Sequence, residues 1–160
     1  MLLQSARHVE RPTFIPSSGT FYGTKALGLR FEKRVTQACT SLFGKAYVTH
    51  GPWFEYQHSA RRDWCQPDIL VFKREWNAIF VLECKLTDVS GAKEKLRQVY
   101  VPVVEKALDK PTWGIVVCRH LTMATDSRLV FDSLRDAMRA AVQASEEVFP
   151  IVHYLGKGCI

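Results

Sequence analysis

The sequence predicts an α/β fold in which a central mixed β-sheet is flanked by helices, with the element order α-β-β-β-β-α-β-α. Apolar residues recur at helical spacing between residues 24 and 43, which predicts an amphipathic helix. Short apolar runs bounded by turn residues then predict four strands before residue 87. A second helical stretch leads into the almost wholly apolar run 112–118, which is typical of a strand paired in parallel through a right-handed crossover.

The composition is that of one globular domain. The chain has 160 residues, of which 47% are hydrophobic and 24% are charged, enough to build a proper core. We expect residues 1–22 to form an N-terminal arm or loop and residues 23–160 to form a single domain. The five cysteines are odd in number, widely spaced and mostly in apolar segments, which favours reduced thiols over a disulfide framework.

Charge and hydropathy favour a protein of the cell interior with a polyanionic partner. The chain carries 22 Lys and Arg against 16 Asp and Glu, for a net charge of +6. This excess favours a polyanionic partner, although it would also serve as a solubilising surface. The first eight residues lack the apolar core of a signal peptide, and no run of about 18 apolar residues occurs. We therefore expect an intracellular protein, cytoplasmic or nucleoid-associated, with no membrane partner.

The first predicted helix runs from Thr24 to Phe43. Its apolar residues recur every three or four positions, and Gly44 supplies a stop signal. Glu32 lies at the edge of the apolar stripe, so that a carboxylate is available near the sheet. Lys25 and Arg30 supply positive charge on the same helix and are candidate DNA contacts.

The strands that follow are predicted at residues 46–50, 53–57, 67–72 and 78–86. The turn dipeptide Gly51-Pro52 favours a hairpin between the first two strands. Residues 57–66 are polar and are predicted to form a loop that leads to the third strand. Residues 73–77 form the turn of a second hairpin.

The second half of the chain is predicted to alternate between helices and strands. A helix at 91–108 contains Pro102, which predicts an irregularity because proline cannot donate a helical hydrogen bond. The apolar strand 112–118 follows, and then a helix at 127–144. Residues 149–155 are predicted to form a last strand or an extended tail.

Three charged residues, Asp68, Glu83 and Lys85, interrupt two otherwise apolar strands. Burying carboxylates without partners costs several kcal/mol, so that such residues are normally paired or bound to a cation. Because side chains alternate along a strand, Glu83 and Lys85 share a face with Ile79 and Val81. Asp68 lies on the adjacent strand of the same hairpin, where its carboxylate would converge with that of Glu83.

These residues predict a metal site for phosphodiester hydrolysis. The carboxylates of Asp68 and Glu83, the backbone carbonyl of Cys84 and waters are ligands that suit Mg²⁺ or Mn²⁺. Lys85 would orient or help to deprotonate the attacking water and balance charge in the transition state. Glu32 would add a further carboxylate to the same cavity.

The segment Pro67-Asp68 followed by Glu83-Cys84-Lys85 resembles the signature of the PD-(D/E)XK nuclease superfamily. The predicted element order is similar to the core of its restriction-endonuclease-like fold, from about Gly23 to Ala144. The resemblance implies a DNA endonuclease with one or two Mg²⁺ ions and an assisting acidic residue on the first helix. These roles fall on Asp68, Glu83, Lys85 and Glu32.

A narrower resemblance lies in Gly28-Leu29-Arg30-Phe31-Glu32-Lys33, which is similar to the opening of archaeal-type Holliday-junction resolvases, although Lys33 stands where those enzymes have arginine. Ser59 would take the place of their serine before the motif aspartate. Gln98 is placed like the motif glutamine of several nuclease branches. The resemblance implies a homodimer, because resolving a junction needs two active sites.

The candidate DNA-contacting residues are basic or polar and lie on the first helix, beside the motif strands and on the following helix: Lys25, Arg30, Ser59, Arg61, Arg62, Lys73, Arg74 and Gln98. Solvated surface charge is the alternative role for the basic ones. Four aromatic residues would stack on bases, cover a dimer interface or belong to the core: Trp53, Phe54, Tyr56 and Trp64.

Three other hypotheses stay open. Glu83 and Lys85 would form a structural ion pair, with Asp68 capping a turn. In the second hypothesis, the chain is a DNA-binding protein of the same fold that lacks catalysis or needs a partner for it. In the third, it is a nuclease directed at RNA. A zinc site is not favoured, because the remaining His and Cys residues have no recognised spacing.

Overall fold

The computed structural model describes residues 2–16, 19–144 and 148–156 as an α/β fold with two β-sheets. The strands are β1 (Leu3–Val9), β2 (Val48–His50), β3 (Trp53–His58), β4 (Arg61–Cys65), β5 (Ile69–Lys73), β6 (Ala78–Lys85), β7 (Thr112–Cys118), β8 (Val130–Phe131) and β9 (Ile151–His153). The helices are α1 (Gly23–Phe43), α2 (Val89–Lys95), α3 (Val101–Leu108) and α4 (Leu134–Gln143), with a π-helical segment, Leu96–Tyr100, between α2 and α3.

The central sheet has the strand order β2-β5-β6-β7-β9-β8. β2, β5 and β6 pair antiparallel, whereas β6, β7, β9 and β8 pair parallel. The connection from β6 through α2 and α3 to β7 is the parallel crossover that the apolar run 112–118 predicts. The predicted mixed sheet flanked by helices is therefore confirmed, while the restriction-endonuclease-like identity of the fold stays a prediction.

Both faces of the central sheet are covered by buried side chains, and β6 contributes to both layers. Phe80 and Leu82 pack with residues of α1 and α4, whereas Ile79 and Val81 pack with residues of α2 and α3. All four are buried, and burying a side chain of this size contributes about 1.5–3 kcal/mol. The alternation along β6 is as predicted, so that Glu83 lies on the face covered by α2 and α3.

The first helix forms because its apolar residues make one continuous buried stripe. Phe31, Val35 and Cys39 recur at intervals of four residues and are all buried. The helix ends at the predicted residue, and it begins one residue before the predicted start. Gly44 then takes φ = 94°, a conformation that favours glycine, and its N–H donates to the carbonyl of Thr40 at 2.9 Å.

The long helical segment after β6 begins two residues before its predicted start. Asp88 caps it by accepting a hydrogen bond from the N–H of Gly91 at 3.0 Å. Pro102 lies at the start of α3, directly after the π-helical segment Leu96–Tyr100. Because proline has no N–H to donate to the carbonyl of Gln98, the preceding turn widens. The predicted irregularity is confirmed, and it lies just before the proline.

A second sheet, with the strand order β1-β3-β4, corrects two predictions. Residues 3–9 form an antiparallel strand against β3 rather than a loop, and residues 61–65 form the other neighbour of β3 rather than part of a loop. Both are edge strands whose residues are mostly half-buried or exposed, so that neither shows the apolar alternation of a covered strand.

The hairpin predicted across Gly51-Pro52 is also wrong, because β2 and β3 belong to different sheets. β2 pairs with β5, and β3 pairs with β1 and β4. Gly51 has φ = 58° and donates its N–H to the carbonyl of Asp68 at 2.8 Å. The turn dipeptide therefore directs the chain from one sheet into the other.

The helix predicted at 127–144 is wrong over its first third. Residues 127–129 form a 3₁₀ turn, β8 follows, and α4 begins only at Leu134. Ser133 caps α4, since its hydroxyl accepts a hydrogen bond from the N–H of Asp136 at 3.1 Å. The final strand predicted at 149–155 is confirmed in a shorter form, Ile151–His153.

The described cysteine thiols are free: Cys39, Cys65, Cys84 and Cys118. Cys159 lies outside the described residues. In the described part of the chain, no helix combines the length and apolar character needed to cross a membrane.

Candidate metal centre

Asp68, which the sequence predicts within the strand 67–72, lies directly before the observed β5, and Glu83 lies near the end of β6. Ile69 at the start of β5 pairs with Leu82, so that Asp68 and Glu83 each adjoin this last pair at the same end of the two strands, close enough for the charge of Glu83 to act on Asp68. The N–H of Cys84 donates to Oδ2 of Asp68 at 2.7 Å, which orients the carboxylate along the end of β6.

Glu83 is buried, and its two carboxylate oxygens have different surroundings. The side chain is 1% exposed, and Oε1 accepts from Nζ of Lys85 at 2.8 Å and lies 3.5 Å from Nζ of Lys95. Oε2 has no hydrogen-bond partner among the described residues. A buried charged oxygen without a partner is costly. Oε2 is therefore the atom of this centre that would gain most from a bound cation.

Asp68 is half-buried, and its surroundings disfavour the charged form. Burial contributes most, and the carboxylates of Glu83 and Glu32 add to it, so that the pKa of Asp68 is raised to about 8. The N–H of Cys84 and the ammonium of Lys85 act in the opposite direction but do not offset these effects. A divalent cation beside Asp68 would restore the charged form, because it supplies the positive charge that the surrounding residues do not.

Lys85 lies beside Glu83, as the alternation along β6 predicts. Partial burial lowers the pKa of Lys85, but the hydrogen bond and charge of Glu83 outweigh it, and the net pKa is raised. Lys85 is therefore held as a cation. This charge state favours the predicted charge-balancing role over the predicted role as a base, and it also fits the structural ion pair that was left open.

Lys95 is a residue of this centre that the sequence analysis missed. It is the last residue of α2, and besides its contact with Glu83 its Nζ lies 5.6 Å from the ring centre of Tyr100. The available signal was its position beside Ala92 and Leu96, which form the buried stripe of this helix. Helical spacing could have placed Lys95 at the margin of that stripe, facing the sheet.

Glu32 comes close to the centre but has another partner. Its Oε1 lies 2.6 Å from Nε2 of His50, and its side chain is 18% exposed. Its charge raises the pKa of Asp68 and, after burial and Asp68, that of the Cys84 thiol. Glu32 is therefore bound to His50 and acts on Asp68 through its charge. Its role as a metal ligand stays a prediction. The sequence analysis missed this role of His50, which depends on β2 lying beside α1.

The described residues contain no cluster of three or more His, Cys, Asp and Glu side chains that would hold a metal. Besides Glu32, the donor set that the sequence predicts consists of Asp68, Glu83 and backbone or water oxygens. Such a set fits Mg²⁺ or Mn²⁺, which bind through one or two carboxylates and retain several waters. The Cys84 carbonyl stays a predicted ligand.

The predicted DNA contacts on the small sheet have protein partners. Arg61 pairs with Asp63 at 2.9 Å, and Arg62 lies 3.9 Å from Glu55. Ser59 lies in the β3–β4 turn with φ = 52°. The structure does not bring Ser59 to the carboxylates, because the full length of β4 separates the turn from the segment that leads to Asp68.

The other predicted contacts are dispersed. Lys73 pairs with Glu75 at 3.2 Å and, with Arg74, lines a cleft of about 560 Å³ at the far end of β5. At about 3.3 Å per residue, Lys73 lies roughly 16 Å along the strand from Asp68. The remaining three are exposed: Lys25, whose Nζ lies 3.9 Å from the ring centre of Phe21, Arg30, and Gln98, which donates to Glu94.

No protein-family model, curated protein or solved structure matches this chain. Its function is therefore inferred from the chemistry of its own residues.

Proposed function

We propose that this protein is a divalent-metal-dependent DNA endonuclease that hydrolyses phosphodiester bonds. The observation that carries the proposal is the buried Oε2 of Glu83, which has no hydrogen-bond partner in the described part of the chain and whose carboxylate lies near Asp68. Two carboxylates beside a lysine supply ligands for a divalent metal and a cation for the charge of a phosphate, which are the groups that metal-assisted phosphoryl chemistry uses. The resemblance of this set to the PD-(D/E)XK signature supports the same reaction.

The residues of the chain divide the work between them. Asp68 and Glu83 would hold Mg²⁺ or Mn²⁺, which when bound supplies Lewis-acid polarisation of the phosphate. The N–H of Cys84 keeps the Asp68 carboxylate oriented. Lys85 would stabilise the negative charge that develops on the phosphate, since it is cationic and 2.8 Å from Glu83. Lys95 would share the charge of Glu83 when Lys85 turns toward the phosphate.

The direct test is cleavage of labelled linear, nicked, flap and four-way-junction DNA with Mg²⁺, Mn²⁺ or EDTA. We expect cleavage that needs the metal and falls at least a hundredfold in the Asp68→Asn and Glu83→Gln variants. Asp136→Asn is the matched control, because Asp136 is an exposed carboxylate of α4 paired with Arg139 at 3.1 Å. Cleavage that persists in EDTA, or equally in all three variants, would exclude the proposed centre.

The same panel separates the alternatives. Preference for the four-way junction, together with a dimer mass in solution, would support the resolvase-like subtype that Gly28–Lys33 suggests. Cleavage of matched RNA but not of DNA would identify an RNA-directed nuclease. Salt-sensitive DNA binding without cleavage under any metal would favour the DNA-binding protein, in which Glu83 and Lys85 form a structural ion pair.

A further inference from the structure

The small sheet has one face in the core and one face toward solvent, and its aromatic residues are divided between them. Along β3, Phe54 and Tyr56 point inward and are 0% and 8% exposed. Trp53 points to the opposite face and is only half-buried. Trp64 on β4 pairs with Glu55 and therefore lies on the same outer face as Trp53.

The outer face presents aromatic rings that the core does not use. Trp53 and Trp64 are diagonal neighbours across β3 and β4, within reach of each other's side chains. Phe14, which is 65% exposed, contacts Trp64 edge-to-face, with ring centres 4.8 Å apart and planes at 73°. Two perpendicular rings form a corner in which a flat base can stack on one ring and contact the edge of the other.

Two arginines accompany these rings. Arg7 and Arg62 approach the same carboxylate, Glu55, at 3.0 Å and 3.9 Å. Their side chains are 69% and 62% exposed, whereas that of Glu55 is 17% exposed. Two exposed cations therefore surround one largely covered anion, and the excess positive charge on this face is complementary to a phosphate backbone.

The face is also close to the candidate metal centre. Trp64 precedes Asp68 by four residues, and four residues of fully extended chain span at most about 14 Å. A nucleic-acid strand bound on the outer face would therefore need only a short length of its sugar–phosphate backbone to reach the two carboxylates.

We propose that the face formed by Phe14, Trp53, Trp64, Arg7 and Arg62 is a stacking surface for the unpaired bases of single-stranded DNA. The proposal rests on the proposed function for its choice of DNA, and it adds that the substrate has a single-stranded segment beside the cleaved bond. Duplex bases are already stacked on each other and offer no free faces to these rings. A second copy of the chain fits less well, because an isologous contact between two such faces would bring together four arginines and only two Glu55 carboxylates.

The test measures binding without cleavage. A fluorescein-labelled twelve-nucleotide thymidine strand and a duplex of the same length are titrated with the full chain in EDTA, following anisotropy and tryptophan fluorescence. We expect the single strand to quench tryptophan emission and the Trp64→Ala variant to bind it about 5- to 100-fold more weakly, with little change for the duplex. Trp64→Phe should recover part of the affinity. Arg62→Gln should lower the slope of log affinity against log salt concentration by about one, which corresponds to the loss of one phosphate contact.

Trp76→Ala is the control, since Trp76 is 40% exposed and lies in the β5–β6 turn at the far end of β5. The inference is overturned if Trp64→Ala and Trp64→Phe bind the single strand as the unchanged protein does. It is also overturned if Trp76→Ala weakens binding of the single strand as much as Trp64→Ala does, or if Trp64→Ala weakens binding of the single strand and of the duplex equally. Conversion of a dimer to a monomer by Trp64→Ala would overturn it as well. Metal-dependent cleavage with no role for Trp64 refutes this inference alone, whereas Trp64-dependent binding with no cleavage refutes the nuclease alone.

Discussion

The two sheets of this molecule place charge in opposite ways. In the central sheet, Asp68 and Glu83 stand at the ends of strands that are otherwise buried on both faces, and Oε2 of Glu83 has no partner in the described chain. In the small sheet, Arg7 and Arg61 are exposed and paired with carboxylates. Surface pairs contribute about 0–1 kcal/mol, whereas a buried unpaired oxygen costs more than this. The central sheet thus carries a destabilising arrangement that a ligand would relieve.

The largest expected effect concerns the packing that holds the carboxylates in place. Phe80 is 0% exposed and contacts the ring of Trp113, with centres 5.7 Å apart. Phe80→Ala should lower the free energy of unfolding by about 3–5 kcal/mol, because it leaves a cavity in the central core. Phe14→Ala, which removes a 65% exposed ring beside the small sheet, should lower it by less than about 1 kcal/mol. Urea unfolding followed by circular dichroism measures both free energies. Similar losses of stability in the two variants would contradict the difference in packing between the two sheets.

A smaller effect is expected for the lysines of the central sheet, and it falls on activity. If the proposed function holds, Lys85→Met should slow single-turnover DNA cleavage by at least a hundredfold (about 2.7 kcal/mol), since it removes the cation nearer to Glu83. Lys95→Met should slow it by about tenfold, because Lys95 lies farther from Glu83, at 3.5 Å against 2.8 Å, and is 53% exposed. Lys93→Met is the control on the same helix, where Lys93 lines a separate cleft. Equal slowing by all three would assign the effect to folding rather than to Glu83.

The sequence predicted the central sheet and its charged positions more fully than the small sheet. The alternation along β6 was enough to place Glu83 and Lys85 on one face, because every neighbouring position is apolar. β1 and β4 were missed, since their residues are polar or half-exposed and they become strands only by pairing with β3. Lys95 and His50 were missed for a second reason: their contacts depend on how α2 and β2 pack against elements distant in sequence, and local spacing does not predict that packing.

The smallest expected effect is a change of stability whose sign differs between the sheets. Asp68→Asn replaces a carboxyl group whose charged form is disfavoured by burial and by the carboxylates of Glu83 and Glu32, while an amide oxygen can still accept from the N–H of Cys84. We expect it to raise the free energy of unfolding by about 1–2 kcal/mol in EDTA. Asp63→Asn on the small sheet weakens surface contacts with Arg61 at 2.9 Å and His58 at 3.2 Å, and should lower it by less than about 1 kcal/mol.

The same pair of variants separates a metal site from a structural ion pair. If Asp68 holds a cation, 10 mM Mn²⁺ should raise the melting temperature of the unchanged protein and of Asp63→Asn, because the ion binds the folded state alone. Asp68→Asn should not respond, since it has lost a ligand. A melting temperature that is insensitive to Mn²⁺ in all three proteins would contradict the metal site and favour the structural ion pair, in which Glu83, like the carboxylates of the small sheet, is stabilised by basic side chains alone.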